Sequence, residues 1–132
     1  MITVLFACVH NAGRSQMAAA LFNQVADRTR ARAVSAGTSP AAEVHPEVVA
    51  VMRERGLDLT DARPVQLTEA LAHEAQWLIT MGCGDRCPVV AGAQVEDWPL
   101  PDPKGRPADE VRAIRDDVAR RVEVFIDRHG WR

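Results

Sequence analysis

The chain has 132 residues, a length that fits one domain, residues 1–132, with a substantial hydrophobic core. Hydrophobic residues make up 47% of it and charged residues 26%, and its formal net charge at pH 7 is −2. A weakly acidic chain of ordinary composition has no bulk charge with which to bind nucleic acid or an anionic membrane. No apolar run approaches the roughly 20 residues that span a bilayer. We therefore expect neither a nucleic-acid nor a membrane partner.

The start of the chain lacks the features of a secretory signal, because Met1 leads into an apolar run without a basic region or a cleavage site. We therefore expect a cytoplasmic protein. In that compartment cysteines indicate catalysis, redox chemistry or metal binding rather than a structural disulfide framework. The chain has three of them, at Cys8, Cys83 and Cys87.

Hydrophobic patterning predicts strands that alternate with helices. The apolar run Ile2–Ala7 is typical of a strand buried on both faces. Apolar residues four apart predict a helix from about Ser15 to Arg28. The remaining predicted elements are a strand over 31–36, helices over 46–55 and 66–75, strands over 77–81 and 94–98, and a helix over 108–129.

This alternation predicts a three-layer α/β fold, in which helices cover both faces of a parallel sheet. Four strands fit the order 2-1-3-4, whose switch point lies between the first and third strands. Ligands bind there, beyond the carboxyl ends of the strands. Cys8 follows the first strand and Cys83 the third, so the topology predicts that the two thiols lie close together.

The segment Cys8 to Ser15 follows the first strand and leads into the first helix. Five residues between Cys8 and Arg14 can turn several backbone N–H groups into one concave ring, which binds a tetrahedral oxyanion at a helix N-terminus. The helix and Arg14 would favour the thiolate form of Cys8, making it a nucleophile. A buried structural cysteine at a strand end is the alternative. The candidate oxyanion-binding residues are Val9, His10, Asn11, Ala12, Gly13, Arg14 and Ser15.

Three residues separate Cys83 from Cys87. One helical turn would bring their Cα atoms within the roughly 4.4–6.8 Å that a disulfide needs. Gly82 and Gly84 give Cys83 the backbone freedom to reach Cys8 instead. Three such thiols could relay electrons from the oxyanion site. Two inert buried thiols are the alternative, and zinc would need two further ligands, so we expect no bound metal.

The pattern Cys8-x-x-Asn11-x-x-Arg14-Ser15 resembles the phosphate-binding loop of the low-molecular-weight tyrosine phosphatase superfamily. Its continuation Gln16-Met17-Ala18 resembles the arsenate reductase branch, whose members couple to thioredoxin. The resemblance covers most of the chain and implies the fold of that superfamily. Further matching segments are Ser35–Thr38, Thr80–Cys83 and the stretch from Trp98 through Asp102-Pro103.

The resemblance implies that Cys8 attacks arsenate while Arg14 holds it, and that Asp102 donates a proton as general acid, with Asp97 as the alternative. Cys83 would then form a disulfide with Cys8, and Cys87 would form one with Cys83. Thioredoxin, or a glutaredoxin-like system, would reduce that last disulfide. No bound cofactor is implied.

The sequence departs from the family pattern at two points, one that concerns a potassium site and one that concerns a phosphotyrosine substrate. Ala19 stands where the reductase branch often has a potassium-site glutamate, and the chain has no tyrosine, whereas the tyrosine phosphatases carry tyrosines after their Asp-Pro. Two other functions remain open. A phosphatase would need Cys8, Arg14 and Asp102 but neither later cysteine, and a sensor would hold an anion or arsenite without turnover.

Overall fold

The computed structural model describes residues 1–82 and 92–132. Four strands and four helices occur in this part of the chain, and each corresponds to a predicted element. They are β1 (Ile2–Cys8), α1 (Arg14–Val25), β2 (Ala31–Gly37), α2 (Pro46–Arg53), α3 (Glu69–Glu74), β3 (Trp77–Thr80), β4 (Gln94–Asp97) and α4 (Ala108–His129).

The predicted sheet topology is confirmed. The strands lie in the order β2-β1-β3-β4, and all three neighbouring pairs are parallel. Cys8 pairs with Gly37 on one side of β1, while Ala7 pairs with Thr80 on the other. The carboxyl ends of β2, β1 and β3 therefore meet at one edge of the sheet, where Cys8 ends β1.

The core lies on both faces of the sheet, as the three-layer prediction requires. On one face Val4 and Phe6 of β1 pack with side chains of α1, α2 and α4 in the larger cluster. On the other face Leu5 and Ala7 join a smaller cluster that includes Ala72 of α3. None of the helices within the described ranges has both the length and the apolar character of a membrane span.

The helix predicted over 46–55 ends two residues early, at Arg53. Two other predicted helix boundaries were wrong by three residues, each because a polar side chain binds the backbone. The helix predicted to reach Arg28 ends at Val25, since the Asp27 carboxylate accepts hydrogen bonds from the Thr29 N–H and hydroxyl. The helix predicted from residue 66 begins at Glu69, since the Thr68 hydroxyl accepts the N–H of Leu71 as an N-cap.

Trp98 fixes the course of the chain after β4. Its indole is 3% exposed and packs at ring-centroid distances of 5.5 Å from Phe6 and 5.8 Å from Phe125. The backbone N–H of Trp98 donates to the carbonyl of Thr80 over 2.8 Å, which holds Trp98 at the end of β3. The residues that follow, through Pro103, are therefore held at the carboxyl edge of the sheet.

An ionic cluster joins α2 to α4 on the large-cluster face. Glu54 accepts hydrogen bonds from Arg112 and Arg115, and Arg115 also donates to the carbonyl of Val51 over 2.8 Å. These two guanidinium groups lower the pKa of Glu54 from its ordinary value of 4.5 to about 2. The ionised carboxylate therefore favours the folded state, although solvent screens an exposed cluster of this kind.

The Glu54→Gln variant tests this contribution through its pH dependence. Because the pKa of Glu54 is lower in the folded than in the unfolded chain, its stabilisation is complete above pH 4.5 and is lost as pH falls towards about 2. We expect Glu54→Gln to lower Tm at pH 6. We expect the difference in Tm between the variant and wild type to disappear as the pH falls from 4.5 to 2. Thermal unfolding followed by circular dichroism measures both.

The matched control is Glu43→Gln, because Glu43 is exposed and forms no ion pair within residues 1–82 and 92–132. Its Tm should follow wild type at every pH. A Tm gap for Glu54→Gln that stayed constant down to pH 2 would contradict this account of the cluster.

Candidate active site

Cys8 is the last residue of β1 and is 2% exposed. Its Sγ atom lies 2.8 Å from the hydroxyl oxygen of Ser15, the second residue of α1. That hydroxyl also accepts a hydrogen bond of 2.7 Å from the side-chain amide of Asn11. Because Asn11 occupies an acceptor position on Ser15 Oγ, the hydroxyl hydrogen is free to point at the sulfur. Ser15 can therefore stabilise a thiolate at Cys8.

The carbonyl groups of the loop point away from the site. The segment 38–45, which follows β2, supplies four N–H donors to them over 2.8–3.2 Å. The pairs are Thr38 with the Cys8 carbonyl, Ser39 with Val9, Ala41 with His10, and His45 with Ala12. The carbonyl of Asn11 accepts instead from the side chain of Gln16.

The orientation of the loop N–H groups follows from these carbonyl bonds. In a trans peptide the C=O of one residue and the N–H of the next point in opposite directions. Because each carbonyl from Cys8 to Ala12 points outward, the N–H of the residue after it points into the loop. Within residues 1–82 and 92–132, none of the N–H groups of residues 9–13 finds an acceptor. Such a set of free donors can hold a tetrahedral oxyanion.

Asn11 holds the loop in its turn. Its φ is +48°, the left-handed region that asparagine tolerates better than other side chains. Its Oδ1 atom accepts the N–H of Val65 over 2.9 Å and the amide of Gln16 over 3.2 Å. The side chain thus compensates for an unfavourable backbone conformation and ties the loop to the segment before α3.

Gln16 supports the loop, a role that the sequence did not predict. It is buried at 8% exposure, and its Nε2 atom lies 3.1 Å from the Asn11 carbonyl and 3.2 Å from the Arg63 carbonyl. The sequence marks Gln16 only through its place in the family-like motif. Its contact with Arg63 has no local signal, because Arg63 lies 47 residues further along the chain.

Arg14 begins α1 and is also 8% exposed. Its Nη1 atom donates to the carbonyl of Leu100 over 2.9 Å, and Gly82 lies against the same guanidinium. No carboxylate in the described ranges forms an ion pair with Arg14. Its other N–H donors therefore remain available to an anion in the loop.

Asp102 lies beside the loop because the next residue, Pro103, contacts it. A Cβ atom on Gly13 would come 2.7 Å from Cγ of Pro103, so the Asp102-Pro103 segment packs directly on the loop. Asp102 is half-buried, and its Oδ1 accepts the N–H of Lys104 over 3.0 Å. Asp97, the alternative acid, is exposed on β4 and accepts the Thr80 hydroxyl over 2.6 Å.

The structure thus brings Cys8, Arg14 and the Asp102 segment together at one edge of the sheet. The side chain of His10 is half-buried, and its backbone belongs to the ring. Cys83 and Cys87 lie outside the described residues.

Comparison with known proteins identifies the family of the chain. Residues 3–129 match the family described as low molecular weight phosphotyrosine protein phosphatase. The chain belongs to this family.

Within the phosphatase family, the relatives found include arsenate reductases. A candidate arsenate reductase of Halobacterium salinarum is 38% identical over 126 residues, 92% of this chain and 89% of that protein. A glutaredoxin arsenate reductase of Synechocystis is 33% identical over 129 residues, 96% of this chain and 97% of that protein. A thioredoxin-dependent arsenate reductase structure from Corynebacterium glutamicum is 38% identical with TM-score 0.83. The match covers 96% of this chain but only 61% of that longer one.

Replacing Ser15 by alanine tests the hydroxyl–sulfur contact. We expect Ser15→Ala to slow the alkylation of Cys8 by iodoacetamide at pH 7 by at least about tenfold, because a hydrogen bond to a charged group contributes about 1.5–3 kcal/mol. Mass spectrometry of the Cys8 peptide measures the rate separately from those of Cys83 and Cys87.

Ser39→Ala is the matched control, since Ser39 is exposed and its backbone N–H makes its hydrogen bond to the loop. Its alkylation rate should equal that of wild type. Equal rates for all three proteins would mean that Ser15 does not stabilise the thiolate.

Proposed function

We propose that this protein reduces arsenate to arsenite, using Cys8 as nucleophile and an external dithiol as electron source. The observation that carries the proposal is the loop, in which outward carbonyls leave a set of N–H donors beside the Cys8 thiol and the Arg14 guanidinium. The arsenate reductases among the relatives support this substrate over other tetrahedral oxyanions.

In the first step, arsenate binds to the loop N–H groups and to Arg14. The Cys8 thiolate attacks arsenic, and an As–O bond breaks as Asp102 protonates the departing oxygen, which leaves as water. The product is a thioester-like Cys8–S–As(V) adduct. The N–H donors suit this step, because they stabilise negative charge on the arsenate oxygens as the sulfur approaches.

In the second step, the Cys83 thiolate attacks Cys8 Sγ. The S–As bond breaks and its electron pair goes to arsenic, so As(V) becomes As(III) and arsenite leaves. Cys87 then attacks Cys83 and frees Cys8, which leaves a Cys83–Cys87 disulfide. Both roles are assigned from the sequence. Gly82, the residue before Cys83, lies against Arg14, which supports an approach of this segment to the loop.

The last step needs two electrons from outside the chain. We assign them to a thioredoxin-like dithiol, with a glutaredoxin-like system as the other candidate, since relatives of both kinds were found. The proposal includes a reducing compartment such as the cytoplasm, because the three thiols must start each cycle reduced. It includes no bound cofactor and no metal.

The cysteine-to-serine series tests the relay. Cys8→Ser should form no arsenite, because the nucleophile is lost. Cys87→Ser should release about one arsenite per chain and then stop with a Cys8–Cys83 disulfide, because nothing frees Cys8. Rapid-quench measurement of arsenite, with peptide mapping of the disulfides, checks both, and assays with thioredoxin and with glutaredoxin plus glutathione identify the donor.

Three outcomes would count against the relay. Sustained turnover by Cys87→Ser with thioredoxin would remove Cys87 from the mechanism. Vigorous hydrolysis of an aryl phosphate that is unchanged by Cys83→Ser would favour the phosphatase alternative, which uses the same loop. Tight retention of arsenite without turnover would favour the sensor.

The Asp102→Asn variant tests the general acid. We expect the rate of arsenite formation in a single turnover to fall by about 100-fold, because the departing oxygen loses its proton donor. Asp97→Asn is the matched control, since Asp97 lies on β4 and is held by Thr80. The reverse result, with a large loss only for Asp97→Asn, would transfer the role to Asp97.

A further inference from the structure

The guanidinium of Arg14 is held from two directions. On one side, Nη1 donates to the carbonyl of Leu100 over 2.9 Å. On the other side lies Gly82, where a Cβ atom would overlap Nη1 and come within 3.2 Å of Cζ. The space that Arg14 occupies therefore exists only because residue 82 has no side chain.

The contact with Arg14 distinguishes Gly82 from the other described glycines with positive φ. Five glycines in the described ranges have positive φ, namely Gly56, Gly82, Gly92, Gly105 and Gly130. A Cβ atom on any of the other four would meet no atom of residues 1–82 and 92–132 within 4 Å. Against this part of the chain, those four need glycine for backbone conformation alone. At Gly82 the steric requirement of a neighbouring side chain is added to a φ of +91°.

A side chain at residue 82 would displace the guanidinium rather than unfold the protein. Gly82 is itself exposed, and the atoms that a Cβ would meet are the end of a long, rotatable side chain. If the guanidinium moved away, Nη1 would lose the carbonyl of Leu100, and the charge would leave its position beside the loop. The effect would therefore fall on anion binding.

We propose that Gly82 is a positioning residue, which sets the guanidinium of Arg14 in the orientation that receives the oxyanion. This inference rests on the proposed function in one respect, that Arg14 contacts the bound anion. It adds a requirement at a residue that does not itself touch substrate. Because Cys83 follows Gly82 directly, one short segment carries both this requirement and the proposed second thiol.

The test compares Gly82→Ala with Gly92→Ala. The two glycines have nearly the same φ, +91° and +92°, so both variants carry the same backbone strain, but only residue 82 meets Arg14. We expect calorimetry to show arsenate binding about tenfold weaker for Gly82→Ala and within twofold of wild type for Gly92→Ala. Inorganic phosphate should give the same ranking. Circular dichroism confirms that both variants are folded.

A second comparison shows whether Gly82 acts through Arg14. In an Arg14→Lys background the guanidinium is absent, so adding Gly82→Ala should change arsenate affinity by less than twofold. A further tenfold loss there would mean that residue 82 acts by another route and would overturn the inference. Equal losses for Gly82→Ala and Gly92→Ala would also overturn it, because backbone strain alone would then explain both.

Failure of the proposed function is distinguishable from failure of this inference. A wild-type chain that binds arsenate but forms no arsenite would remove the reductase activity, and the binding comparison would still decide the role of Gly82. A wild-type chain that binds neither arsenate nor phosphate would overturn both.

Discussion

The direction in which the peptide groups of the loop face is the constraint on which the site depends. A buried carbonyl needs a donor, and the segment 38–45 supplies four of them to the loop. That segment can do so because β2 runs parallel to β1 and ends level with it, with Cys8 paired to Gly37. A Cβ atom on Gly37 would come 2.7 Å from the Val9 carbonyl, so the two segments approach as closely as backbones can. The strand pairing thus determines the shape of the loop.

The loop also contains one unfavourable conformation, at Asn11, and the surrounding contacts compensate for it. A left-handed conformation costs a non-glycine residue on the order of 1–2 kcal/mol. Glycine would avoid that cost but would lose the bonds to Ser15, Val65 and Gln16. Each such bond contributes about 1 kcal/mol, so asparagine is the better residue here. It also orients the Ser15 hydroxyl towards Cys8, which links the stability of the loop to the chemistry of the thiol.

The features that could be predicted from the sequence are those with a local signature. The apolar run of β1, the helical spacing in α4 and the loop between Cys8 and Arg14 are each contained in a short window, and the strand order followed from their alternation. The helix ends near Asp27 and Thr68 were predicted wrongly, because a side chain there competes with the helix for backbone groups. The supports of the site have no local signature. Gln16 meets a carbonyl 47 residues away, and Arg14 meets one 86 residues away, so only the folded chain brings them together.

The electrostatics of the site explain why an anion should occupy it. Arg14 is the first residue of α1, where the helix dipole is positive, and the free N–H groups of the loop add further partial positive charge. A cation is unfavourable at that position, and no carboxylate in the described ranges forms an ion pair with it. The carbonyl of Leu100 offsets the positive charge of Arg14 only in part, since a carbonyl is a dipole and carries no net charge. A bound oxyanion would neutralise the excess, and a ligand at 100 times its Kd stabilises the folded state by about 2.7 kcal/mol. The positive charge of Arg14 at this position is therefore the feature that would favour an anion in the loop.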